Sequence, residues 1–162
     1  MAGTLVTIAP LGASDLEGCV EIMSRSLPWT RYGMDEAAIG ALWRSALDSG
    51  ATVAVAHVEG VTAGFAWFIE QGGFGLSGYL KLLGVHPDRR GQGVGGVLLD
   101  HTEKLACRAG RKDLLLLVSD FNVAAQRFYL DRGYVQVGSI PDYVVPGIAE
   151  FILRKRLREV TR

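Results

Sequence analysis

Val85-His86-Pro87-Asp88-Arg89-Arg90-Gly91-Gln92-Gly93-Val94-Gly95 is the stretch on which the reading of this chain turns. An apolar strand from Tyr79 to Val85 runs into a proline turn, then two arginines, then glycines at 91, 93, 95 and 96. An apolar-periodic helix follows at once. Glycines let backbone amides close on a ligand that no Cβ could admit, and a fresh helix N-terminus leaves its first N–H groups unpaired. Those amides lie at the positive end of the helix dipole, where an anion such as a pyrophosphate is favoured. Arg89 and Arg90 add fixed positive charge beside it. The segment predicts a phosphate cradle.

Gly91, Gly93 and Gly96 satisfy the letter of the dinucleotide motif G-x-G-x-x-G. In that motif, however, the first glycine follows its strand almost directly, and an acidic residue about twenty positions on binds a ribose. Here His86 to Arg90 separate strand from glycine, and positions 111 and 112 are Arg and Lys, with Asp113 just beyond. A P-loop fails as well, because no Lys-Ser or Lys-Thr pair closes the glycine run.

The segment Arg90-Gly91-Gln92-Gly93-Val94-Gly95, led in by Val85 to Pro87, resembles the acyl-CoA-binding motif of the GNAT acetyltransferases. A second segment, Asn122-Val-Ala-Ala125-Gln-Arg-Phe128-Tyr129-Leu-Asp-Arg-Gly133-Tyr134, resembles that family's Asn-x-x-Ala-x-x-Phe-Tyr-x-x-x-Gly-aromatic motif. The resemblance covers about residues 4 to 156 in element order, and its specific part is residues 79 to 134. It implies acetyl-CoA or coenzyme A as cofactor. By the same likeness Leu83, Gly84, Val85, Arg90, Gly91, Gln92, Gly93, Val94, Gly95, Gly96, Asn122 and Tyr129 bind it.

Bulk properties agree. The 162 residues suit one domain over 1–162 with a proper core. Lys plus Arg total 17 and Asp plus Glu total 17, so nothing electrostatic points to nucleic acid or a membrane surface. Arg154, Lys155, Arg156 and Arg158 read as a solvated last strand and tail. No apolar run reaches the roughly 18 residues of a membrane span, and the first residues lack a basic-then-apolar leader pattern. Cys19 and Cys107 form no metal or disulfide framework and read as reduced thiols within helices. A cytoplasmic protein without a metal is expected.

Working outward, Leu5 to Ile8 alternate as a strand. Ser14 or Asp15 can cap a helix to about Ser26, with Leu16, Val20 and Met23 on its apolar side. Pro28 to Gly33 is a loop. A second helix spans Asp35 to Asp48 on the stripe Ala38, Leu42 and Ala46, stopped by Gly50. Residues 52–58 and 62–70 form a hairpin about Glu59-Gly60, and Gly72, Gly73 and Gly75 loosen the next connection. Strand Gly78 to Val85 feeds the cradle. The helix after it carries Val94, Val97, Leu98, His101 and Leu105 on one face and ends near Gly110. Leu114 to Val118 is a strand buried on both faces. Asn122 to Gly133 is helical, and Tyr134 to Ile140 and Ala149 to Arg154 complete the strands. The order β-α-α-β-β-β-α-β-α-β-β predicts an α/β (α+β) fold, a mixed sheet of about seven strands flanked by about four helices, which matches the GNAT arrangement.

The implied chemistry is transfer of an acetyl group from a thioester to an amine in a ternary complex. By position, Leu83 and Val85 would offer backbone groups to the pantetheine arm, with the Leu83 N–H facing the thioester oxygen; an ordinary central strand is the bland alternative. Tyr129 matches the tyrosine the family often uses toward the departing thiolate. A phenol near 10 donating to a thiolate near 8.5 is uphill by roughly 2 kcal/mol, so a strong hydrogen bond is as plausible as proton transfer. Tyr129 could also be a packing residue sharing a helical face with Ala125. Asn122 could cap its helix, bond the cofactor, or both.

Some family members carry a glutamate on the strand six residues before Val85, where this chain has Tyr79, a poor base near neutral pH. Glu70, Asp142 and a water chain are the remaining candidates, and His57, His86 and His101 are not. The family geometry would set Trp29, Tyr32, Tyr79, Lys81 and Tyr143 around the acceptor, a small amine or a peptide N-terminus; the aromatics could equally be core or rim residues. No covalent nucleophile is expected. Rival readings are a non-catalytic acyl-CoA-binding module and an acyltransferase with another acyl group or a hydroxyl acceptor. The family often dimerises through its C-terminal strands, which makes a homodimer conceivable.

Overall fold

The computed structural model describes residues 5–158. Residues 1–4 and 159–162, which the single-domain expectation includes, lie outside the described residues, as does the start of the resemblance at residue 4. Strands β1 (Val6–Pro10), β2 (Val53–Val58), β3 (Val61–Gly73), β4 (Ser77–Val85), β5 (Asp113–Ser119), β6 (Val135–Ile140) and β7 (Glu150–Arg156) form one mixed sheet in the order β1-β2-β3-β4-β5-β7-β6. The helices are α1 (Leu16–Ser24), α2 (Glu36–Asp48), α3 (Val94–Arg108) and α4 (Val123–Leu130). Fold class and element order are those expected from the sequence. No helix among the described residues is long and apolar enough to cross a membrane.

By internal contacts the chain divides into two units, one of residues up to Phe68 with Leu82–Thr102, the other of Ile69–Lys81 with the residues from Glu103 on. In the first, β1 pairs antiparallel with β2 and β2 with β3. Its core gathers Cys19, Ile22 and Met23 of α1, Ile39 and Trp43 of α2, and Val55, Phe65 and Trp67 of the strands. Trp43 meets Phe65 edge-on with centroids 4.6 Å apart, a favoured aromatic geometry.

The buried stripes differ in detail from those expected. On α2 the core face is Ile39, Trp43 and Ala46, while Ala38 is exposed, because the bulky pair at i, i+4 removes more apolar surface from water than alanine does. On α3 the buried residues are Val94, Leu98, Leu99, Thr102 and Ala106; Val97 is 37% exposed, and His101 and Leu105 are only half-buried. Thr102 can join this face because its hydroxyl donates to the Leu98 carbonyl at 2.9 Å. The first helix also begins differently, with a 3-10 turn over Ala13–Asp15 ahead of α1. Asp15 does not cap α1: its carboxylate accepts from the Gly12 N–H and the Thr62 hydroxyl and faces His57 Nε2 at 2.7 Å.

In the second unit β5 pairs parallel with β4 at Gly78–Leu80 and antiparallel with β7 along its whole length, and β7 pairs with the edge strand β6. The connection after β3 is tighter than expected. Gly72 and Gly73 belong to β3, and Phe74 and Gly75, with φ of 55° and 75°, make a two-residue turn closed by Leu76 N–H on the Gly73 carbonyl. Two successive positive φ angles match the strand twist, which is why a tight hairpin replaces a loose loop.

Candidate active site

The cradle is assembled within the first unit. Pro87–Arg89 is a 3-10 turn in which His86 Nδ1 accepts from the Asp88 N–H at 3.2 Å. Gly91 and Gly93 have φ of 74° and 84°, a conformation costly for any residue with a Cβ. A Cβ built on either would meet nothing within 4 Å, so the conformation requires glycine and the space beside it is open. The first backbone bond of α3 runs from the Val97 N–H to the Gly93 carbonyl. The N–H groups of Val94, Gly95 and Gly96 stand ahead of that first bond, where a helix has no carbonyl of its own to receive them. A run of amides at a helix N-terminus, next to open space, fits the pyrophosphate of coenzyme A.

The two arginines are not equivalent. Arg89 is held by Glu59 at 3.1 Å, in the turn between β2 and β3. Arg90 donates instead to the hydroxyl of buried Ser26 at 3.0 Å and has no carboxylate partner among the described residues. A neutral acceptor leaves its charge uncompensated, so Arg90 is the cation available to a phosphate. Below it, His86 Nε2 reaches Glu21 at 3.2 Å; Arg25 and then His86 hold that exposed carboxylate below its ordinary range. Gln92 turns its amide back to the Asp88 carbonyl.

Two glycines seat this region by packing. A Cβ on Gly64 of β3 would fall 2.7 Å from the Gly84 carbonyl and 2.9 Å from Leu98 of α3. One on Gly84 would fall 2.6 Å from the Phe65 ring. Gly84 therefore serves close packing on its side-chain face. Along β4, the His86 N–H donates to the Ala63 carbonyl at 2.8 Å, which fixes the parity of the strand. Alternation turns the backbone groups of Leu83 and Val85 to the opposite edge, and the register with β5 stops at Leu80.

The second unit carries the remaining site residues. Asn122 caps α4, its side chain accepting from the Ala125 N–H at 3.3 Å. Tyr129 is 7% exposed and packs edge-on to Phe128 and Tyr134. Burial pushes its phenol above the ordinary value, yet its hydroxyl makes no hydrogen bond among the described residues. Tyr79 is half-buried, and burial foremost, then Tyr143 and Glu150, raise its phenol, which makes it a still poorer base.

Glu70 is exposed and faces Arg111 at 3.5 Å; Asp142 accepts from the Gly147 N–H at 2.6 Å and shapes the loop before β7. Lys81 and Tyr143 are exposed. Back in the first unit, Trp29 is a core residue, 5% exposed with its ring 5.8 Å from Phe65, and Tyr32 is half-buried against that core. Burial pushes the Cys19 thiol up to about 12, which keeps it protonated; Cys107 is half-buried. Ser26, Gly64 and the buried pair Ser119 and Glu150 escaped the sequence reading, since serine, glycine and a strand-initial glutamate are unremarked without their neighbours.

The sequence model of a family described as the acetyltransferase (GNAT) domain matches residues 49–136, more than half of the chain. No curated protein matches it in sequence. Among solved structures, a GNAT-family protein from Desulfovibrio desulfuricans shares the fold with a TM-score of 0.80 at 18% identity, over 95% of this chain and 100% of that one. The yncA protein of Salmonella typhimurium, solved with its cofactor acetyl-CoA, gives 0.73 at 22% identity over 98% of each chain. A GCN5-related N-acetyltransferase structure from Rhodopseudomonas palustris gives 0.73 at 26% identity over 97% of this chain and 99% of that one. With a glycine-built anion cradle at the head of α3 and the family's sequence pattern spanning it, this chain belongs to the GNAT acetyltransferase family, which uses acetyl-CoA as its cofactor.

Proposed function

We propose that this protein moves an acetyl group from acetyl-CoA directly to a primary amine, a small molecule or a peptide N-terminus, in a ternary complex. The observation that carries this reading is the N-terminus of α3 at Val94, preceded by Gly91 and Gly93 at positive φ with open space beside them. Bound acetyl-CoA supplies the activated acetyl group. The amides of Gly91 to Gly96 and the Arg90 guanidinium hold its phosphates, and the Leu83 and Val85 backbone groups align the pantetheine arm. The Leu83 N–H faces the thioester oxygen, where a preset donor is worth roughly 3 kcal/mol in other acyl-transfer sites.

Tyr129 donates to the departing sulfur. With its phenol raised further above a thiol, full proton transfer is more uphill than for a free tyrosine, so Tyr129 acts as a hydrogen-bond donor to the developing thiolate. It stays protonated across the working pH range. No nucleophile is required, and the inert Cys19 supplies none.

Thiol release against a panel of primary amines, with calorimetric titration of acetyl-CoA in parallel, tests the proposal. Release above background hydrolysis establishes the enzyme; tight binding with no release across the panel favours a non-catalytic module. Tyr129→Phe is expected to lower turnover by about 100-fold while acetyl-CoA affinity stays within about twofold. Unchanged turnover in that variant removes Tyr129 from the mechanism.

A further inference from the structure

We propose that Ser26, just past the end of α1, is a positioning residue for the cofactor: its hydroxyl aims the Arg90 guanidinium at a phosphate of acetyl-CoA without discharging it. The inference rests on the acetyltransferase reading and deepens it. Arg90 is exposed, and a long exposed side chain ordinarily samples many rotamers. Here its guanidinium donates to the Ser26 hydroxyl at 3.0 Å.

Ser26 is a rigid anchor for that bond. It is only 3% exposed. Its N–H donates to the Met23 carbonyl at 3.3 Å, and its own carbonyl accepts from the Thr30 N–H at 3.1 Å. Met23 in turn is fully buried in the core of the first unit. The hydroxyl is therefore held on both sides by backbone that belongs to the core.

Two further links join the last turn of α1 to the segment ahead of the glycines. Glu21 faces His86 Nε2 at 3.2 Å. Arg25, bonded to Glu21 at 2.8 Å, lies 3.6 Å from Asp88. The 3-10 turn that leads to Arg90 and the tip of the Arg90 side chain are thus referenced to the same few residues of α1, all within the first unit.

The neighbouring Arg89 shows why the partner is a hydroxyl. Glu59, at 3.1 Å, offsets the Arg89 charge as it holds it. A hydroxyl oxygen gives direction with no opposite charge. A guanidinium carries five N–H donors in a planar fork, so a bond to Ser26 uses one and orients the rest. Ordering such a side chain before the ligand arrives removes that cost from the binding step, which is worth about fivefold in affinity.

The test is a double-mutant cycle in the full chain, read by calorimetric titration of acetyl-CoA. Ser26→Ala should weaken binding by about fivefold, and Arg90→Ala, which removes the charge itself, by about 20-fold. Adding Ser26→Ala to Arg90→Ala should cost less than about twofold more, because no guanidinium remains to be aimed. A serine that serves packing alone would cost the same fivefold in both backgrounds, about 100-fold in the double variant. Ser26→Cys, close in volume but a weak acceptor, covers the case in which alanine fails to fold and should match its loss.

Wild-type affinity in either Ser26 variant overturns the inference, as does an additive cycle. Wild-type affinity in Arg90→Ala also overturns it, while leaving the family reading intact. A wild-type protein that does not bind acetyl-CoA fails the underlying reading, and the role of Ser26 falls with it.

Discussion

The glycine-rich head of α3 and the buried residues around Tyr129 and Glu150 are built from opposite materials. Around Gly91 and Gly93 the candidate binding atoms are backbone amides, and side chains matter mainly by being absent. In the second unit the buried polar atoms are side-chain oxygens on strands and a helix, set by register and burial. A backbone-built site must be written into consecutive residues, because only local conformation can line up neighbouring N–H groups. A side-chain-built site can draw residues from any distance along the chain, as Ser119 and Glu150 show.

That contrast can be broken most sharply at Gly93. Gly93→Val places a β-branched side chain at a φ of 84° and fills the open space beside the amides. Acetyl-CoA affinity should fall by about 100-fold, the equivalent of one or two charge-assisted hydrogen bonds, as read by calorimetry. Undiminished affinity would mean that the cradle does not hold the cofactor.

Gly64→Ala sharpens the comparison from the packing side. Its new Cβ would press on the Gly84 carbonyl and on Leu98, so denaturant unfolding should show a loss of about 1–3 kcal/mol. Because β3 and α3 must part to admit it, cofactor affinity should fall with stability. In contrast, Gly93→Val should cost affinity out of proportion to stability.

The smallest effect on cofactor affinity is expected at Asp15, remote from the α3 glycines. Asp15→Asn removes one of two carboxylate acceptors and should cost about 1–3 kcal/mol in thermal or denaturant unfolding. Burial raises this carboxyl, but the His57 contact and the Gly12 and Thr62 donors outweigh it and hold the group below its ordinary value. A depressed folded-state pKa gives stability that is complete above the unfolded value near 4 and lost as pH falls through the folded one. The gap between wild type and Asp15→Asn should therefore close below about pH 4, and a gap constant down to pH 2 would show that ionisation is irrelevant there.

The element order, the cradle and the Asn122 cap were all legible in the residues, because turn glycines, capping side chains and strand alternation act over a few positions. The structure adds a cap at Asp35, whose carboxylate accepts from the Ala38 N–H at 2.7 Å. Errors fell where competition between faces decides. Ala38 reads as apolar enough for the core of α2, but Ile39 and Trp43 occupy it, and on α3 buried Thr102, its hydroxyl taken up by the Leu98 carbonyl, joins the face in place of His101. Likewise Arg89 and Arg90 read alike in sequence, and only their partners, Glu59 and Ser26, distinguish them.

By itself, then, the sequence determined what local geometry can encode: where strands and helices begin, where φ turns positive, and where a glycine run meets the start of a helix. The tertiary structure alone decided which carboxylates are buried and which arginine is paired with one. Burial and pairing depend on residues tens of positions apart meeting in one place, and no short-range pattern records that meeting.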